Sequence, residues 1–275
     1  MLNLYLERFR QNRLAVIGFV FIAGLALAAL LAPWLCPRDP SAQDLLSRLQ
    51  GPSLAHWLGT DDLGRDVFSR LLMGARVSLS VGFVAVGIAL AIGVSLGLCA
   101  GFFGGKIDTV IMRLVDIMLS IPTIFLILAV LAFVGPNIYN VMVIIGLTSW
   151  PGLTRLVRGE CLSVRERDYI LAARASGIST LRILFIHLLP NVVAPILVSA
   201  TLGVGGAILT ESALSFLGLG VQPPSPSWGN ILSIGRDYLH IAWWLSLFPT
   251  LAILVTVLAF NLLGEGLRDV LDPRT

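Results

Sequence analysis

Long runs without a charged residue constrain this chain more than any other feature of its sequence. Of its 275 residues, 56% are hydrophobic and only 13% are charged, which is too few charges to cover a soluble domain of this length. The runs are much longer than the alternating segments of barrel strands, so they can cross a membrane only as helices. The sequence therefore predicts an all-α polytopic membrane protein.

The uncharged runs predict six transmembrane helices. A span needs about 20 apolar residues, and the run between Asp116 and Arg155 is long enough for two, divided by a turn signal at 135–137. The predicted segments are a cytoplasmic N-terminus (1–13), a first span (14–35) and an outer loop with an amphipathic segment (36–76). A five-helix core (77–264), which includes a cytoplasmic loop (155–190), and a cytoplasmic C-terminus (265–275) follow.

Positive charges predict that both termini are cytoplasmic. With this orientation, 13 of the 19 Lys and Arg residues lie in inside segments, and the short outer loop at 135–140 has none. The first apolar run, 14–35, could alternatively belong to a cleaved signal peptide. However, its 22 residues exceed the apolar core of a typical signal peptide, about 7–15 residues. We therefore expect an uncleaved anchor.

A polar stretch at 168–191 interrupts the apolar runs. The six Arg residues between 155 and 182 exclude a span, since each would cost roughly 2.5–3.5 kcal/mol at a bilayer centre. We predict a short helix from Asp168, a break at Gly177 and a second helix that Ser179 caps and that leads into the next span. An apolar stripe is expected on this second helix, at Leu181, Leu184, Phe185 and Leu188.

Two interpretations of this stretch remain open on physical grounds. Ala172 and Ala173 are small, so the surface of another protein could approach their backbone closely. Alternatively, the first helix could be amphipathic and lie on the lipid headgroups.

Three residues near or within the runs are candidates for lining a translocation path. Asp116 is ionisable inside a span, which favours a function, although pairing with Arg113 at i+3 spacing is the alternative. Pro122 is predicted to kink the same span. Glu211 could face the path and bind a cationic group, or it could cap or pair at the outer interface.

The outer segment, defined here as residues 56–79, is polar as well. Gly59 and Gly64 bracket an acidic turn, and Asp66 and Arg70 have the i, i+4 spacing of a pair on one helix face. We interpret the segment as a solvated amphipathic helix on the outer surface. Direct contact with substrate is the alternative.

The polar stretch resembles the EAA loop of bacterial ABC-importer permeases, whose pattern is E-A-A, three residues, G, nine residues, I, one residue and L-P. The residues that match at this spacing are Ala172, Ala173, Gly177, Leu189 and Pro190. Leu171 stands where the family has Glu, and His187 stands where it has Ile. In that family the loop is the coupling helix, which sits in a cleft of the ATP-binding subunit, so the resemblance implies that these seven residues serve coupling to an ATPase.

Three further segments resemble signatures of the second, "C"-type permease subunit of dipeptide, oligopeptide and nickel importers. They are HWLGTDDLGRDVFSRLLMGARVSL at 56–79, SFLGLGVQPPSPSWG at 215–229 and FNLLGEGLRDVLDPR at 260–274. The family motif in the outer segment consists of Gly59, Thr60, Asp61, Gly64, Arg65, Asp66, Ser69 and Arg70. Together with the EAA loop, four signatures in the family's order cover essentially the whole chain.

The resemblance implies a type I ABC importer permease fold with six transmembrane helices and a cytoplasmic coupling helix. It implies import of small peptides, or alternatively of nickel or a metal chelate, across a bacterial cytoplasmic membrane. The implied partners are a homologous permease in a heterodimer, two ABC ATPase subunits and an extracytoplasmic solute-binding protein, with no nucleic acid.

The chain itself is predicted not to be an enzyme. It contains no G-x-x-x-x-G-K-[ST] sequence, and its single Lys is at 106, so ATP and Mg belong to partner subunits. The three Cys form no CxxC and no Cys/His cluster, so neither a disulfide framework nor a metal site is predicted.

Two other classes compete with this interpretation. A secondary transporter needs coupling-ion sites at mid-membrane, whereas acidic residues are nearly absent from the middle of these runs. An intramembrane enzyme needs a catalytic pair within the spans, and the runs offer none, because His187 lies at a cytoplasmic edge.

Overall fold

The computed structural model describes residues 2–271, and its regular structure is helical, as predicted. The helices are α1 (Leu2–Gln11), α2 (Arg13–Leu35), α3 (Val67–Phe103), α4 (Gly105–Ser120), α5 (Thr123–Val134), α6 (Ile138–Arg165), α7 (Asp168–Ala175), α8 (Thr180–Arg182), α9 (Leu189–Phe216), α10 (Trp228–Asp237) and α11 (Trp244–Leu271). A 3-10 turn at Leu45–Ser47 and a π-helical segment at Ile183–Leu188 accompany them. The end of the predicted C-terminal segment, residues 272–275, lies outside the described residues.

Four helical segments of the described chain are long and apolar enough to cross a membrane. They are Arg13–Leu35, Val67–Phe103, Thr180–Phe216 and Trp244–Leu271. The pair formed by α4 and α5 passes the same test as one unit, bent by 85°, which raises the count to five. Helix α6 carries several charges in its second half and is not among them. The count of six spans therefore stays a prediction.

Local signals explain where these helices begin and end. Asn12 and Asn137 accept hydrogen bonds from backbone N–H groups of the first turns of α2 and α6. Pro122 separates α4 from α5, so the predicted kink is a complete break. Gly135 ends α5 with φ of 84°, at the predicted turn signal.

Helices α3 and α6 pack together through a line of glycines. A Cβ atom on Gly93, Gly97 or Gly101 of α3 would lie within 3 Å of a side chain on α6, so the absence of side chains lets the two helices approach closely. The residues that they meet on α6 are Leu153, Val157 and Cys161. Close packing of this glycine-rich helix is what its composition predicts.

Candidate functional site

Helix α7 presents one face to the chain's own core and another to the outside. Ile170 and Ala173 are buried in an apolar cluster with residues of α3 and α6, such as Leu98 and Val157. Ala172 is exposed, and so is Leu171, at 45% of its surface. We call residues 168–190 the joint.

The structure corrects one expectation about the joint. Ala173 was expected to allow close approach of another protein, but it is only 7% exposed and its contacts are within this chain. The reason is helical geometry: Ile170 and Ala173 are three residues apart and share the buried face, while Ala172 lies on the opposite side. A partner can therefore reach Ala172 but not Ala173.

Gly177 ends α7 in a Schellman motif. Its φ is 70°, its N–H donates to the carbonyl of Arg174 (3.0 Å), and the N–H of Ile178 donates to the carbonyl of Ala173 (3.2 Å). Residues with a β-carbon reach this conformation only at a cost. The predicted break at Gly177 therefore has its physical cause in the backbone conformation.

The second part of the joint differs from the predicted regular helix. Ser179 is the N-cap residue of the short α8 but makes no side-chain capping bond. A π-helical segment, Ile183–Leu188, then leads into α9, and Leu184 and Leu188 are buried as the stripe predicted. The other two residues of that predicted stripe, Leu181 and Phe185, are exposed. Phe185 lies in the π turn, whose wider spacing rotates it out of the apolar face, whereas Leu181 precedes that turn, in α8.

The remaining matched positions lie at the start of α9. His187 and Leu189 are half-buried, and Pro190 is exposed at the second residue of the helix. The carbonyl of His187 accepts a hydrogen bond from the Asn191 amide (2.7 Å). Helix α9 continues directly from the π-helical segment, and Pro190 has no N–H to donate to that preceding turn.

Arg174 of the joint and Arg165, just before the joint, contact the C-terminal end of α3. The guanidinium of Arg174 lies 4.4 Å from the centre of the Phe102 ring. Arg165, at the end of α6, donates to the carbonyl of Gly101 (2.8 Å). Helix α7 thus contacts α3 through Arg174, besides contacting α6 and α9 through the apolar cluster.

The outer segment is a buried polar cluster rather than the solvated helix that we expected. Asp61 accepts hydrogen bonds from the backbone and the Nε of Arg65 (3.0 and 2.6 Å). Arg70 Nε lies 3.4 Å from the same carboxylate. All three side chains are nearly or fully buried, which is tolerable because each charge faces an opposite one.

Asp66 caps α3 instead of pairing with Arg70. One carboxylate oxygen accepts from the N–H (2.9 Å) and hydroxyl (2.8 Å) of Ser69, and the other lies 3.0 Å from His56 Nδ1. The i, i+4 prediction failed because Asp66 precedes the helix and uses its side chain on the first turn.

The outer segment is also fastened to the start of α11. Thr60 donates to the carbonyl of Ser47 (2.5 Å), and its own carbonyl accepts from the indole of Trp244 (3.1 Å). Gly59 has φ of 79°, and a Cβ there would lie 2.7 Å from the Trp244 Nε1. Gly59 is therefore needed both for its turn and for this close contact.

Gly64 closes the turn against the loop that precedes the segment. Its φ is 73°, and a Cβ would overlap the carbonyl oxygen of Asp44. The Ser47 hydroxyl donates to the Asp44 carboxylate (2.7 Å), and this bond lowers the pKa of that carboxyl group.

Asp116 pairs with a residue on another helix, not with Arg113. Its Oδ1 accepts from Arg155 Nη2 of α6 at 2.7 Å. About two turns earlier on α4, Asp108 accepts two hydrogen bonds from Arg158, also of α6. These two ion pairs join α4 to α6.

Glu211 is fully buried among hydroxyl groups. Its carboxylate accepts from Ser215 (2.6 Å) and Ser78 (3.3 Å), and Ser212 lies 3.5 Å away. The Ser215 hydroxyl in turn accepts from the N–H of Val221, in the segment between α9 and α10. These hydrogen bonds join α3, α9 and that segment, and the role of Glu211 in a translocation path stays a prediction.

Sequence reasoning missed Arg155, Arg158 and Trp244 as partners of these sites. Their partners are 39, 50 and 184 residues away along the chain, so no local spacing could indicate them. A weak signal existed for Arg155, since a charge at the end of a long uncharged run needs an opposite charge nearby.

The comparison with protein families decides the class. Residues 93–275 match the family described as the inner membrane component of binding-protein-dependent transport systems. The chain belongs to that family. Residues 2–52 also match the N-terminal transmembrane domain of oligopeptide transport permease C. The permease is thus a transport subunit of an ABC importer rather than an enzyme, and the family implies an ATPase and a substrate-binding protein as partners.

Relatives of known name cover nearly the whole permease. A dipeptide transport system permease of Alkalihalophilus pseudofirmus is 48% identical over 98% of this chain and 88% of its own length. A di/tripeptide permease of Pseudomonas aeruginosa is 47% identical over 98% and 90%. A glutathione transport permease of Pectobacterium atrosepticum is 46% identical over 98% and 89%.

The fold of the permease has a counterpart among solved structures. The MetNI methionine ABC transporter in an inward-facing conformation matches with a TM-score of 0.61 at 22% identity. The match covers 74% of this chain and 97% of that one. This likeness supports the type I importer permease architecture that the sequence predicted.

Among the described residues, no group of three His, Cys, Asp or Glu side chains could hold a metal ion.

Proposed function

We propose that this permease translocates small peptides across a bacterial cytoplasmic membrane, driven by ATP hydrolysis on partner subunits. The proposed substrate class rests on one observation, the substrates in the names of the similar permeases. Those quoted above act on dipeptides, di/tripeptides and glutathione, all of them peptides, at 46–48% identity over nearly the full chain. This pattern favours peptides over nickel or a metal chelate.

The joint is the proposed coupling site. Its exposed face, with Leu171 and Ala172, is free within the chain for an ATPase subunit, while Ile170 and Ala173 on the buried face pack against α3 and α6. A push on α7 would therefore reach the spans through packed side chains. Closure of the ATPase subunits would in this way shift the balance between inward- and outward-open states.

The proposed topology has six spans and cytoplasmic termini. The spans are α2, α3, the broken pair α4 and α5, α6, α9 with the segment before it, and α11. A C-terminal alkaline phosphatase fusion should be inactive and a fluorescent-protein fusion bright. Fusions at Pro136, in the turn between α5 and α6, should give the opposite pattern, and equal patterns at both sites would refute the topology.

The proposed assembly contains a homologous permease, two ABC ATPase subunits carrying ATP and Mg, and an outer solute-binding protein. Co-expression with these partners and reconstitution into proteoliposomes should give uptake of a labelled dipeptide that requires ATP and the binding protein. Uptake of labelled nickel serves as the comparison. Nickel uptake without dipeptide uptake would contradict the proposed substrate. ATP hydrolysis by the purified chain alone would contradict the proposal that only the partner subunits hydrolyse ATP.

A further inference from the structure

The ion pair between Asp116 and Arg155 is unusually open. The two side chains are 54% and 55% exposed in the chain, yet both lie on helices assigned to the membrane. The neighbouring pair of Asp108 and Arg158 is far more enclosed. The two ion pairs between α4 and α6 therefore differ, and only the pair of Asp116 and Arg155 exposes both charged side chains to this extent.

The packing of α3 against α6 places this pair about two turns before the end of α3. Gly93 and Gly97 of α3 contact Leu153 and Val157 of α6, which flank Arg155. From this level, α3 continues for about eight residues, or about 12 Å, to its C-terminal end. Charged groups on membrane-spanning helices face protein or water rather than lipid.

The surroundings of the pair form a polar strip along both helices. On α4 its exposed members recur at helical spacing: Thr109, Arg113, Asp116 and Ser120. On α6 they are Ser149, Gly152, Arg155 and Gly159. Gly152 and Gly159 have open space where a side chain would be. The strip is thus an exposed polar face, with open space at Gly152 and Gly159 beside a pair of opposite charges.

A different face of α4 is suited to lipid. Its exposed residues are apolar: Ile107, Val110, Leu114 and Ile117. This apolar face and the polar strip are separated by roughly a quarter to a third of a turn around the helix axis. The helix thus has two separate exposed faces, one apolar and one polar.

We propose that Asp116 and Arg155 bind the two charged ends of a peptide in transit, a proposal that rests on the proposed function. The Asp116 carboxylate accepts hydrogen bonds from the peptide's α-ammonium group, and the Arg155 guanidinium donates to its α-carboxylate. Each side chain exchanges one opposite charge for another, so no unpaired charge is left in the membrane. The exposed geometry of the pair gives the peptide access to both groups.

This pair would also discriminate between the two cargo classes. A dipeptide with one ammonium and one carboxylate adds no net charge to the path. A divalent metal ion would meet Asp116 but also the guanidinium beside it, which repels it at the same distance. A zwitterion of one or a few residues is the chemistry that the pair complements.

Transport per ATP hydrolysed tests the proposal in the reconstituted full complex. Asp116→Asn and Arg155→Gln should each lower labelled dipeptide uptake per ATP by about tenfold or more, the loss expected for a charge-assisted hydrogen bond, with ATP hydrolysis retained. The double variant should be at least as impaired. Asp237→Asn, in an equally exposed ion pair on α10, is the control and should transport normally.

The double variant separates binding from a structural role. If the ion pair only joined α4 to α6, replacing both charges would remove the unpaired charge that each single variant leaves, and uptake would recover. Such recovery, or unchanged uptake in both single variants, would overturn the proposal while dipeptide uptake by the unchanged complex upholds the proposed function. Absence of dipeptide uptake by the unchanged complex would overturn both.

Thiol labelling supplies a readout that does not depend on transport by these variants. In a background with Cys36, Cys99 and Cys161 replaced, Gly152→Cys should react with a membrane-impermeant thiol reagent, and dipeptide during turnover should slow the reaction severalfold. Ile117→Cys on the apolar face is the matched control and should stay unreactive. An unreactive Gly152→Cys, or labelling that dipeptide leaves unchanged, would overturn the proposal.

Discussion

The outer segment and the joint are both short polar insertions between apolar helices, but they are held in opposite ways. The outer segment buries charges and satisfies them within the chain, as Asp61 does with Arg65. The joint relies on backbone hydrogen bonds around Gly177 and on the apolar packing of Ile170 and Ala173. It leaves the other side of α7 open.

This difference indicates which insertion is complete by itself. A buried charge network specifies one arrangement, because any displacement leaves a charge unpaired. An apolar contact with an exposed opposite face tolerates small shifts and has surface available for a partner. The outer segment is accordingly expected to be a rigid cap, and the joint to be the part that moves. The following predictions test that contrast.

Asp61→Ala should cause the largest loss of stability. It leaves Arg65 and Arg70 buried without their shared carboxylate, which typically costs about 3–5 kcal/mol. The thermal unfolding midpoint of the complex in detergent measures the effect. Asp62→Ala is the matched control, because its pair with Arg65 is longer (3.4 Å) and partly exposed, and it should cost less than about 1 kcal/mol. Equal effects would contradict the rigid-cap interpretation.

Two substitutions on α7 should separate its faces. Ala173→Asp buries an unpaired charge and should cost about 2 kcal/mol or more, lowering the unfolding midpoint. Ala172→Asp is exposed and should leave the midpoint unchanged, yet reduce co-purification of the ATPase subunits and peptide uptake. Full partner binding and uptake by Ala172→Asp would show that this face is not the docking surface.

Gly64→Ala and Gly177→Ala compare two glycines with similar positive φ values. At Gly177 there is open space, so the cost is the conformational one alone, about 1–2 kcal/mol. At Gly64 the new Cβ would also overlap the Asp44 carbonyl, so the loss should be larger. The two unfolding midpoints decide this, and an equal or reversed order would mean that the turn at Gly64 can relax.

Arg174→Gln should have the smallest effect. It removes an interaction with the Phe102 ring that is worth about 0.5–1 kcal/mol at an exposed site. Peptide uptake per ATP should fall more than stability does, because the contact joins α7 to α3. Arg174→Lys keeps the charge and should recover most of the uptake. A lowered unfolding midpoint with unchanged peptide uptake per ATP would assign Arg174 to folding instead.

Much of the fold followed from local signals in the sequence. The start of α7, the break at Gly177, the interruption at Pro122 and the turn at 135–137 each depend on the backbone preference of one or two residues. Such preferences act over a few residues, so they can be read without knowledge of the tertiary structure.

The partners of charged residues could not be predicted in the same way. Asp116 and Asp66 each had a plausible cation three or four residues away, but the structure pairs Asp116 with Arg155 of another helix and uses Asp66 as a cap. The orientation of Ala173 was missed for a related reason. In a helix of eight residues, only tertiary packing decides which face is buried.

The π-helical segment Ile183–Leu188 has a consequence for evolution and engineering of the joint. The N–H of Leu189 bonds to the carbonyl of Leu184, five residues back, so the segment contains one residue more than an α-helix would need. Deleting an exposed residue such as Ile186 would restore α-helical spacing. Because the π turn already accommodates the additional residue, its loss should leave α7 and α9 in nearly the same relative orientation. The segment should therefore tolerate a one-residue deletion, whereas the same deletion within the regular helix α7 would turn the preceding residues by about 100°.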